Sequence, residues 1–447
     1  MDRISQLSDD LLLRILSCVP TKDVVATSLL SKRWQFLWML VPQLQYNDIN
    51  HSGDYKNFSQ FVYRSLLSNK ASVIEHLHLN LGPECPAIDI GLWIGIALSR
   101  RLRELEINIR SSFENVSFSL PSSLYTSDTL ETLRVINFVL LVVPSSVCLP
   151  SLKVLHLKTV DYEDDASLPN LLSGCPNLEE LCLERHDQDS EMDFTVVVPS
   201  LRRLSMMDEN YVKCGRYVID VPSLKYLNIT DEAVYNVRQI ENMPELTEAY
   251  VEITQGVTHK FLRALTTVRH LSLCLSLSEV ILNIILFFFS YYYSSQELLC
   301  VVVHIEKQVM CPSGMIFYQL VHLNLYTFAQ GWWDLLTYML QDSPKLRFLK
   351  LIDKHDSGLC GKETPIGWKL PSSVPECLLF SLEAFEWIGY KGRRGDREMA
   401  TYVLKNAACL STAKFSPEST DVGEKYHMLK ELASVPTAST SSKLLFD

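Results

Sequence analysis

LPSLKVLHL, residues 149–157, contains the spacing that decides the fold of most of this chain. Its Leu-x-x-Leu-x-Leu pattern begins at Leu152 and places the last two leucines two positions apart. They therefore share one face of a short strand, while the side chains between them face the other way. One such strand cannot bury its leucines alone, so the pattern predicts a strand that stacks on copies of itself.

Such copies recur along the chain. Clear ones begin at Leu152, Leu178, Leu224, Leu320 and Leu346, and degenerate ones at Ile74, Leu102, Leu130, Leu201, Leu246 and Val268. Successive starts are 28, 28, 22, 26, 23, 23, 22, 22, 52 and 26 residues apart. All but one interval lie within or near the ~20 to 29 residues of a leucine-rich repeat. Residues 73–353 are thus predicted to form an α/β repeat solenoid with a parallel sheet on its concave side.

The side chains between the leucines are predicted to line that concave side. A mixture of aromatic and charged residues suits a protein-binding face. The alternative is that many of them are ordinary solvated strand residues. The candidate target-binding residues are Glu180, Arg203, Tyr226, Asn228, Tyr250, His270, His322, Tyr326, Phe348 and Lys350.

The interval of 52 residues between Val268 and Leu320 departs from the others. Removing residues 280–308, which are 29 in number, restores an interval of 52 − 29 = 23. The segment begins with Val, ends with Gln and is rich in Ile, Phe and Tyr, as a translated AT-rich intron would be. We expect a non-repeat insertion flanked by adjacent strands; a membrane helix or a lone buried helix are the alternatives.

The first 45 residues carry more apolar side chains than three short helices are expected to bury. LSDDLLLRILSCVP predicts an amphipathic helix with Ser8 as its N-cap, and Leu7 and Leu12 in the positions of a hydrophobic staple. Thr21 and Ser31 can cap two further helices. A unit this small is marginal alone, so the surplus indicates a partner that covers Trp34, Leu37 and neighbouring side chains.

LSDDLLLRILSCVPTKDVVATSLLSKRWQFLW also resembles the F-box, a three-helix module that docks on the Skp-type adaptor of a cullin-RING ubiquitin ligase. The resemblance implies an F-box over residues 1–48 and a cullin as an indirect partner. Ser8 departs from it, because the family usually has proline there. The alternative is a helical cap on the next domain. The implied adaptor-binding residues are Leu7, Ser8, Leu11, Leu12, Ile15, Leu16, Pro20, Ser31, Arg33, Trp34, Leu37 and Trp38.

After Leu351 a Gly-, Pro- and Ser-rich stretch marks a boundary. SLEAFEWIGYKG then predicts a strand, and DREMATYVLKNAACL and YHMLKELASV predict helices. The stretches VPECLLFSLEAFEWIGYKG, YVLKNAACL and MLKELASVPTASTSSKLLFD resemble the FBD domain, which implies an α/β FBD segment over residues 368–447. Together the three resemblances identify the chain as similar to the plant F-box/FBD/LRR-repeat family.

Composition excludes several other classes of protein. The formal charge of −11 argues against nucleic-acid binding, and KGRRGDR at residues 391–397 is expected to be a solvated loop. The twelve cysteines include no CxxC pair, so neither a metal site nor a cofactor is predicted. MDRISQLSDD lacks the pattern of a secretory signal. We expect a location in the cytoplasm, the nucleus or both, without a membrane span.

The sequence favours a non-catalytic receptor. It contains no GxSxG, HExxH or glycine-rich phosphate loop. The leading hypothesis is a substrate-recognition subunit of an SCF-type (Skp-cullin-F-box) ubiquitin ligase, which binds its adaptor through the F-box and a target protein through the repeats. The alternative is an interaction scaffold that acts outside ubiquitination, and co-isolation of a cullin separates the two.

Overall fold

The fold is taken from a computed structural model that describes residues 4–48, 55–83, 85–110, 118–185, 194–208, 216–231, 237–241, 243–253, 259–275, 315–327, 332–353 and 370–447. The chain divides into two compact units, Met1–Leu224 and Lys225–Asp447. Each unit is described by itself below, as the first unit and the second unit.

The first unit begins with three short helices, α1 (Asp9–Leu16), α2 (Thr21–Ala26) and α3 (Trp34–Leu37). Single 3-10 turns at Ile4–Gln6, Thr27–Leu29 and Trp38–Leu40 flank them. The chain then passes through Val41 and Pro42 directly into the first strand, β1 (Gln43–Asn47). The predicted three-helix module is therefore joined to the sheet without a linker.

The rest of the first unit alternates strands and helices. Its elements are α4 (Tyr55–Ser68), β2 (His76–Leu81), α5 (Ala87–Leu98), β3 (Glu104–Ile109), β4 (Phe118–Ser119), β5 (Thr132–Ile136), β6 (Val139–Leu141), β7 (Val154–Lys158), β8 (Asp161–Tyr162), α6 (Ser167–Ser173), β9 (Glu180–Arg185), β10 (Phe194–Val197), β11 (Arg203–Asp208) and β12 (Arg216–Asp220). A 3-10 turn spans Ser122–Thr126. Strands β1, β2, β3, β5, β7, β9 and β11 pair in that order as a parallel sheet.

The leucines of the repeat set the register of that sheet. The fourth residue of each motif lies opposite its counterpart on the next strand, and each is at most 1% exposed: Leu77, Leu105, Leu133, Leu155, Leu181 and Leu204. Full burial of one such leucine leaves no polar group unpaired and stabilises the fold by roughly 1.5–3 kcal/mol. The stacking predicted from the spacing is confirmed.

The second unit continues the same alternation. Its elements are β13 (Tyr226–Asp231), β14 (Val237–Glu241), β15 (Glu248–Ile253), α7 (His259–Ala264), β16 (His270–Leu275), β17 (His322–Tyr326), α8 (Trp332–Gln341), β18 (Phe348–Ile352), α9 (Glu376–Phe380), β19 (Ala384–Tyr390), α10 (Arg394–Asn406), β20 (Thr412–Pro417), α11 (Val422–Ala433) and β21 (Lys443–Phe446). Strands β13, β15, β16, β17, β18, β19, β20 and β21 pair in that order as a parallel sheet.

The C-terminal segment adds its strands to this sheet. Leu349 of β18 lies opposite Phe385, which lies opposite Ala413, which lies opposite Leu444. Phe385 and Ala413 are at most 1% exposed, as the repeat leucines are. The segment with FBD resemblance is thus α/β as predicted, and it extends the stack of repeats by three strands.

The strands on either side of the long interval are adjacent. His270 of β16 lies opposite His322 of β17, and Leu271 lies opposite Leu323. This confirms the expectation that the flanking strands pair directly. Residues 280–308 lie outside the described residues, so the intron origin of that segment stays a prediction.

The basic stretch at residues 391–397 is not the solvated loop that its composition indicated. Lys391 Nζ lies 3.1 Å, and a guanidinium nitrogen of Arg393 3.2 Å, from the carboxylate of Asp353, whose side chain is 4% exposed. Arg393 is also the N-cap of α10 and pairs with Asp396, whose side chain is 1% exposed. Buried carboxylates hold these two cations in place.

Candidate functional site

The three N-terminal helices form a small core together with Val41, which follows them. Its buried members are Leu12, Leu16, Val24, Trp34, Leu37 and Val41. Leu7, Leu13, Val19 and Trp38 are partly buried against it. Trp34 is 5% exposed and Leu37 4% exposed within this chain alone.

This core corrects the expectation that a partner covers Trp34 and Leu37. The helices bury both side chains themselves, together with Leu12 and Leu16. Those four residues therefore face the interior and are at most 5% exposed, and their contact with an adaptor stays a prediction. The prediction overlooked Val41, which follows the helices and closes one side of the core.

Five other large apolar side chains, in α1, in α3 and in residues 27–30 between α2 and α3, point outwards; Ile4 and Leu40 of the flanking turns are exposed as well. The five are Leu11, Ile15, Leu29, Leu30 and Phe36, and their exposed fractions are 46%, 49%, 88%, 68% and 58%. We call these five residues the apolar surface. A contiguous patch of exposed apolar side chains marks an interaction site, and these five residues are candidate members of one. Sequence reasoning selected Leu11 and Ile15 but missed Leu29, Leu30 and Phe36; the position of Phe36 off the helical stripe was the available signal.

The first helix starts as its sequence predicts. Ser8 is the N-cap of α1, and its hydroxyl accepts a hydrogen bond from the Leu11 backbone N–H at 3.4 Å. Asp9 and Asp10 lie in the first turn, where the helix dipole favours carboxylates. Arg33 bonds to Asp9 at 2.6 Å, which fixes the start of α3 beside α1.

The other two predicted caps differ. α2 begins at Thr21 with Pro20 as its N-cap, and the Thr21 hydroxyl instead accepts the Gln45 backbone N–H at 2.8 Å. Ser31 precedes α3, whose N-cap is Arg33, and the Ser31 carbonyl accepts the Trp34 N–H at 3.1 Å. Pro20 and Ser31 are exposed, so their predicted contact with an adaptor stays a prediction.

The repeats present a second candidate surface, which we call the open face. It consists of the first, third and fifth residues of the motif strands, whose side chains point away from the leucine stack. In the first unit this face is charged and internally paired. Glu180 lies 2.8 Å from His156 and 3.9 Å from Arg203, and Lys158 lies 3.1 Å from Glu184.

In the second unit the open face carries several aromatic rings. The ring centroids of Tyr250 and Tyr326 are 6.4 Å apart, and the Tyr250 hydroxyl donates to Glu252 at 3.2 Å. Burial raises the pKa of Tyr250 well above its usual range, so this hydroxyl keeps its proton. Lys350 pairs with Glu386 at 3.0 Å.

His322 lies between two other rings on this face. Its centroid is 4.6 Å from that of His270 and 4.1 Å from that of Phe348. Burial, with His270 and Arg347 nearby, lowers the pKa of His322. The stack therefore favours the uncharged form of this histidine at neutral pH.

The predicted target-binding residues all have side chains at least partly accessible on the open face, with Glu180 and Arg203 in the first unit and the others in the second. Tyr226 and Asn228 lie on β13, and Tyr226 is opposite Glu248 in the register. Access is necessary for target binding but does not test it. Their role stays a prediction.

Metal-binding and membrane-spanning features concern the parts of the chain that the structure describes. Within those parts no group of three or more His, Cys, Asp or Glu side chains is placed to hold a metal ion. No helix in the same ranges is long and apolar enough to cross a membrane. Residues 280–308, on which the membrane alternative depended, are outside them.

Comparison with known proteins gives matches along the whole length. A family model for the F-box domain matches residues 4–44, a model for the LRR repeats of FBD-associated F-box protein At5g56370 matches residues 90–249, and a model for FBD matches residues 369–415. F-box/FBD/LRR-repeat protein At4g26340 of Arabidopsis thaliana is 80% identical over 448 residues, covering 100% of both chains.

Two further relatives from Arabidopsis thaliana are similar over the full chain. Putative F-box/FBD/LRR-repeat protein At4g26350 is 49% identical, with 100% of this chain and 99% of the relative covered. F-box/FBD/LRR-repeat protein At5g56420 is 42% identical with the same coverage. None of the three matching models describes an enzyme.

Proposed function

Since the chain belongs to the plant F-box/FBD/LRR-repeat family, we propose that it is the substrate-recognition subunit of an SCF-type ubiquitin ligase. The F-box binds a Skp-type adaptor and, through it, a cullin, while the open face of the repeats binds a target protein. The chain itself performs no catalysis. The observation that carries the proposal is the apolar surface, which lies outside the core that the F-box helices form with Val41.

The exposure of these side chains supports adaptor docking through the apolar surface. Leu30 is 68% exposed and follows the Thr27–Leu29 turn, which contacts α3. An apolar partner that removes such side chains from water gains roughly 25 cal/mol per Å² of area buried. Folding alone gives no reason for leaving Leu29, Leu30 and Phe36 in water.

A matched pair of variants tests adaptor binding. Leu30→Glu places a charge on the apolar surface, whereas Leu67→Glu makes the same change at the end of α4, where Leu67 is 71% exposed. In co-purification with recombinant adaptor, Leu30→Glu should lower recovery at least tenfold, as loss of an interface anchor does. Leu67→Glu should behave as wild type, and equal recovery for both variants would contradict the proposal.

The presence or absence of a cullin in the purified complex then distinguishes a ligase subunit from an interaction scaffold. An adaptor complex that also contains a cullin supports the ligase. Adaptor recovered without cullin supports a scaffold that acts outside ubiquitination. We also propose a cytoplasmic or nuclear location; the eight described cysteines are all free thiols, which suits a reducing compartment. A fluorescent fusion excluded from both compartments would contradict that location.

A further inference from the structure

One row of the open face in the second unit combines flat rings with a carboxylate. Its members occupy the first position of successive strands: Glu248, His270, His322, Phe348 and Ala384. We call these five residues the ring row. The planes of His322 and Phe348 are within 1° of parallel, and those of His270 and His322 within 30°.

The two ends of the ring row differ in chemistry. At one end the Glu248 side chain is 53% exposed and its carboxylate lies 3.9 Å from His270. At the other end Phe348 is 37% exposed, and the register places only the methyl group of Ala384 beside it. Alanine is too small to cover the ring face that His322 leaves open. The row therefore offers an anionic end and an apolar slot.

A corresponding carboxylate in the first unit is less accessible to a positively charged group of a ligand. Glu180 occupies the same strand position as Glu248 but lies 2.8 Å from His156 and 3.9 Å from Arg203, and its side chain is 37% exposed. A positive ligand group at Glu180 would compete with two neighbours. At Glu248 the side chain on the following strand is His270 alone, and the preceding strand contributes the phenol ring of Tyr226.

We propose that the ring row binds an extended segment of the target protein that carries a lysine or arginine at Glu248 and an aromatic or branched apolar side chain in the slot between Phe348 and Ala384. The proposal rests on the receptor function given above and specifies the kind of target. The formal charge of −11 also favours encounter with a basic partner.

Strand spacing fixes the separation of the two target residues. Glu248 and Phe348 are three strands apart, and the slot lies between Phe348 and Ala384 of the next strand. Neighbouring strands lie about 4.8 Å from each other, so the slot is about 17 Å from Glu248. An extended peptide advances about 3.3 Å per residue, so the basic and apolar residues should be about five positions apart.

Selection from a random peptide library tests this arrangement without assuming a sequence. The library is displayed on phage and panned against the full chain purified with its adaptor. We expect enrichment of peptides with Lys or Arg about five positions from an aromatic or branched apolar residue. Enriched peptides that are acidic, or that lack this pairing, would overturn the proposal, as would no enrichment.

Variants then place the selected peptide on the ring row. Fluorescence anisotropy with the synthetic peptide should show about threefold weaker binding for Glu248→Gln, the range of an exposed ion pair. Phe348→Ala should weaken binding about tenfold, as loss of an aromatic anchor does. The matched control Glu180→Gln should leave affinity unchanged. Equal losses for Glu180→Gln and Glu248→Gln would overturn the assignment.

The adaptor provides a readout that separates this inference from the proposed function. Wild type and all three variants should co-purify with adaptor equally, because the ring row is distant in sequence from the F-box helices. If adaptor binds but the selected peptides do not fit, the inference alone fails. If adaptor does not bind wild type, the proposed function fails.

Discussion

Trp34→Ala should unfold the F-box core, whereas Phe36→Ala, two residues later on the same helix, should not. Trp34 is 5% exposed and packs in a core of six buried residues. Removing such a side chain typically costs about 3–5 kcal/mol. Phe36 is 58% exposed, so its truncation should cost about 1 kcal/mol. A core this small has little stability of its own, so the larger loss opens it.

Hydrogen exchange of the amides in α1 and α3, measured in the full chain, separates these effects. A loss of about 3 kcal/mol should accelerate exchange at least a hundredfold in Trp34→Ala, since each 1.4 kcal/mol is tenfold. Phe36→Ala should change it less than tenfold while weakening adaptor binding. Exchange rates in Trp34→Ala equal to those of wild type, with adaptor binding lost, would refute the reasoning and return Trp34 to the interface.

Four further changes test other parts of the chain. Ser8→Pro should keep α1, because the φ of Ser8 is −66° and suits proline, and should strengthen adaptor binding measured by calorimetry; equal or weaker binding counts against it. Gly389→Ala should lower the free energy of unfolding by about 2 kcal/mol or more, since φ is 76° and a Cβ there collides with the Asp353 carbonyl. By contrast, Gly95→Ala in α5, where a Cβ meets nothing within 4 Å, should raise it by about 0.5–1 kcal/mol; a similar sign for both glycines would contradict this. Deleting residues 280–308 should leave the melting temperature within about 4 °C of the wild-type value, because the flanking strands already pair. A larger drop would argue against an intron, and so would transcripts that all retain these codons.

The leucine spacing was sufficient to predict the register of most strands. A motif of fixed apolar spacing determines which side chains face inwards, because successive strand residues alternate between faces. Leu77 and Leu155 therefore stack where the sequence alone places them. Insertions between strands alter the length of a connection and leave this alternation unchanged, which is why the long interval did not disturb the prediction for β16 and β17.

The strand β19 was predicted from SLEAFEWIGYKG, but its place in the repeat stack was not, and β20 was not predicted at all. β19 belongs to Leu382-x-x-Phe385-x-Trp387 and β20 to Leu410-x-x-Ala413-x-Phe415, which keep the spacing and change the residue type. Phe385 and Ala413 differ greatly in volume, and only the packing of neighbouring strands determines that both fit. The apolar spacing, with any apolar residue in place of leucine, predicts both strands as members of the stack.

The F-box helices were harder to orient from sequence. Leu11 and Leu12, and likewise Ile15 and Leu16, are adjacent pairs on one broad stripe, and periodicity does not tell which member faces the core. The structure turns Leu12 and Leu16 inwards and leaves the other two exposed. Val41, which lies beyond the helices, packs in this core. Which member of each pair faces inwards therefore depends on tertiary contacts.

The alternation of the strands also separates stability from recognition. Leu271 and Leu349 are 2% and 1% exposed, while their neighbours His270 and Phe348 project from the open face. A substitution at an outward position changes the chemistry offered to a target without opening a cavity in the leucine stack, where it would cost several kcal/mol. Inward and outward side chains alternate in the same way on each motif strand. A repeat chain of this kind can therefore change its target while keeping its fold. The target specificity should therefore reside in residues such as Glu248 and Phe348 rather than in the motif that made the fold predictable.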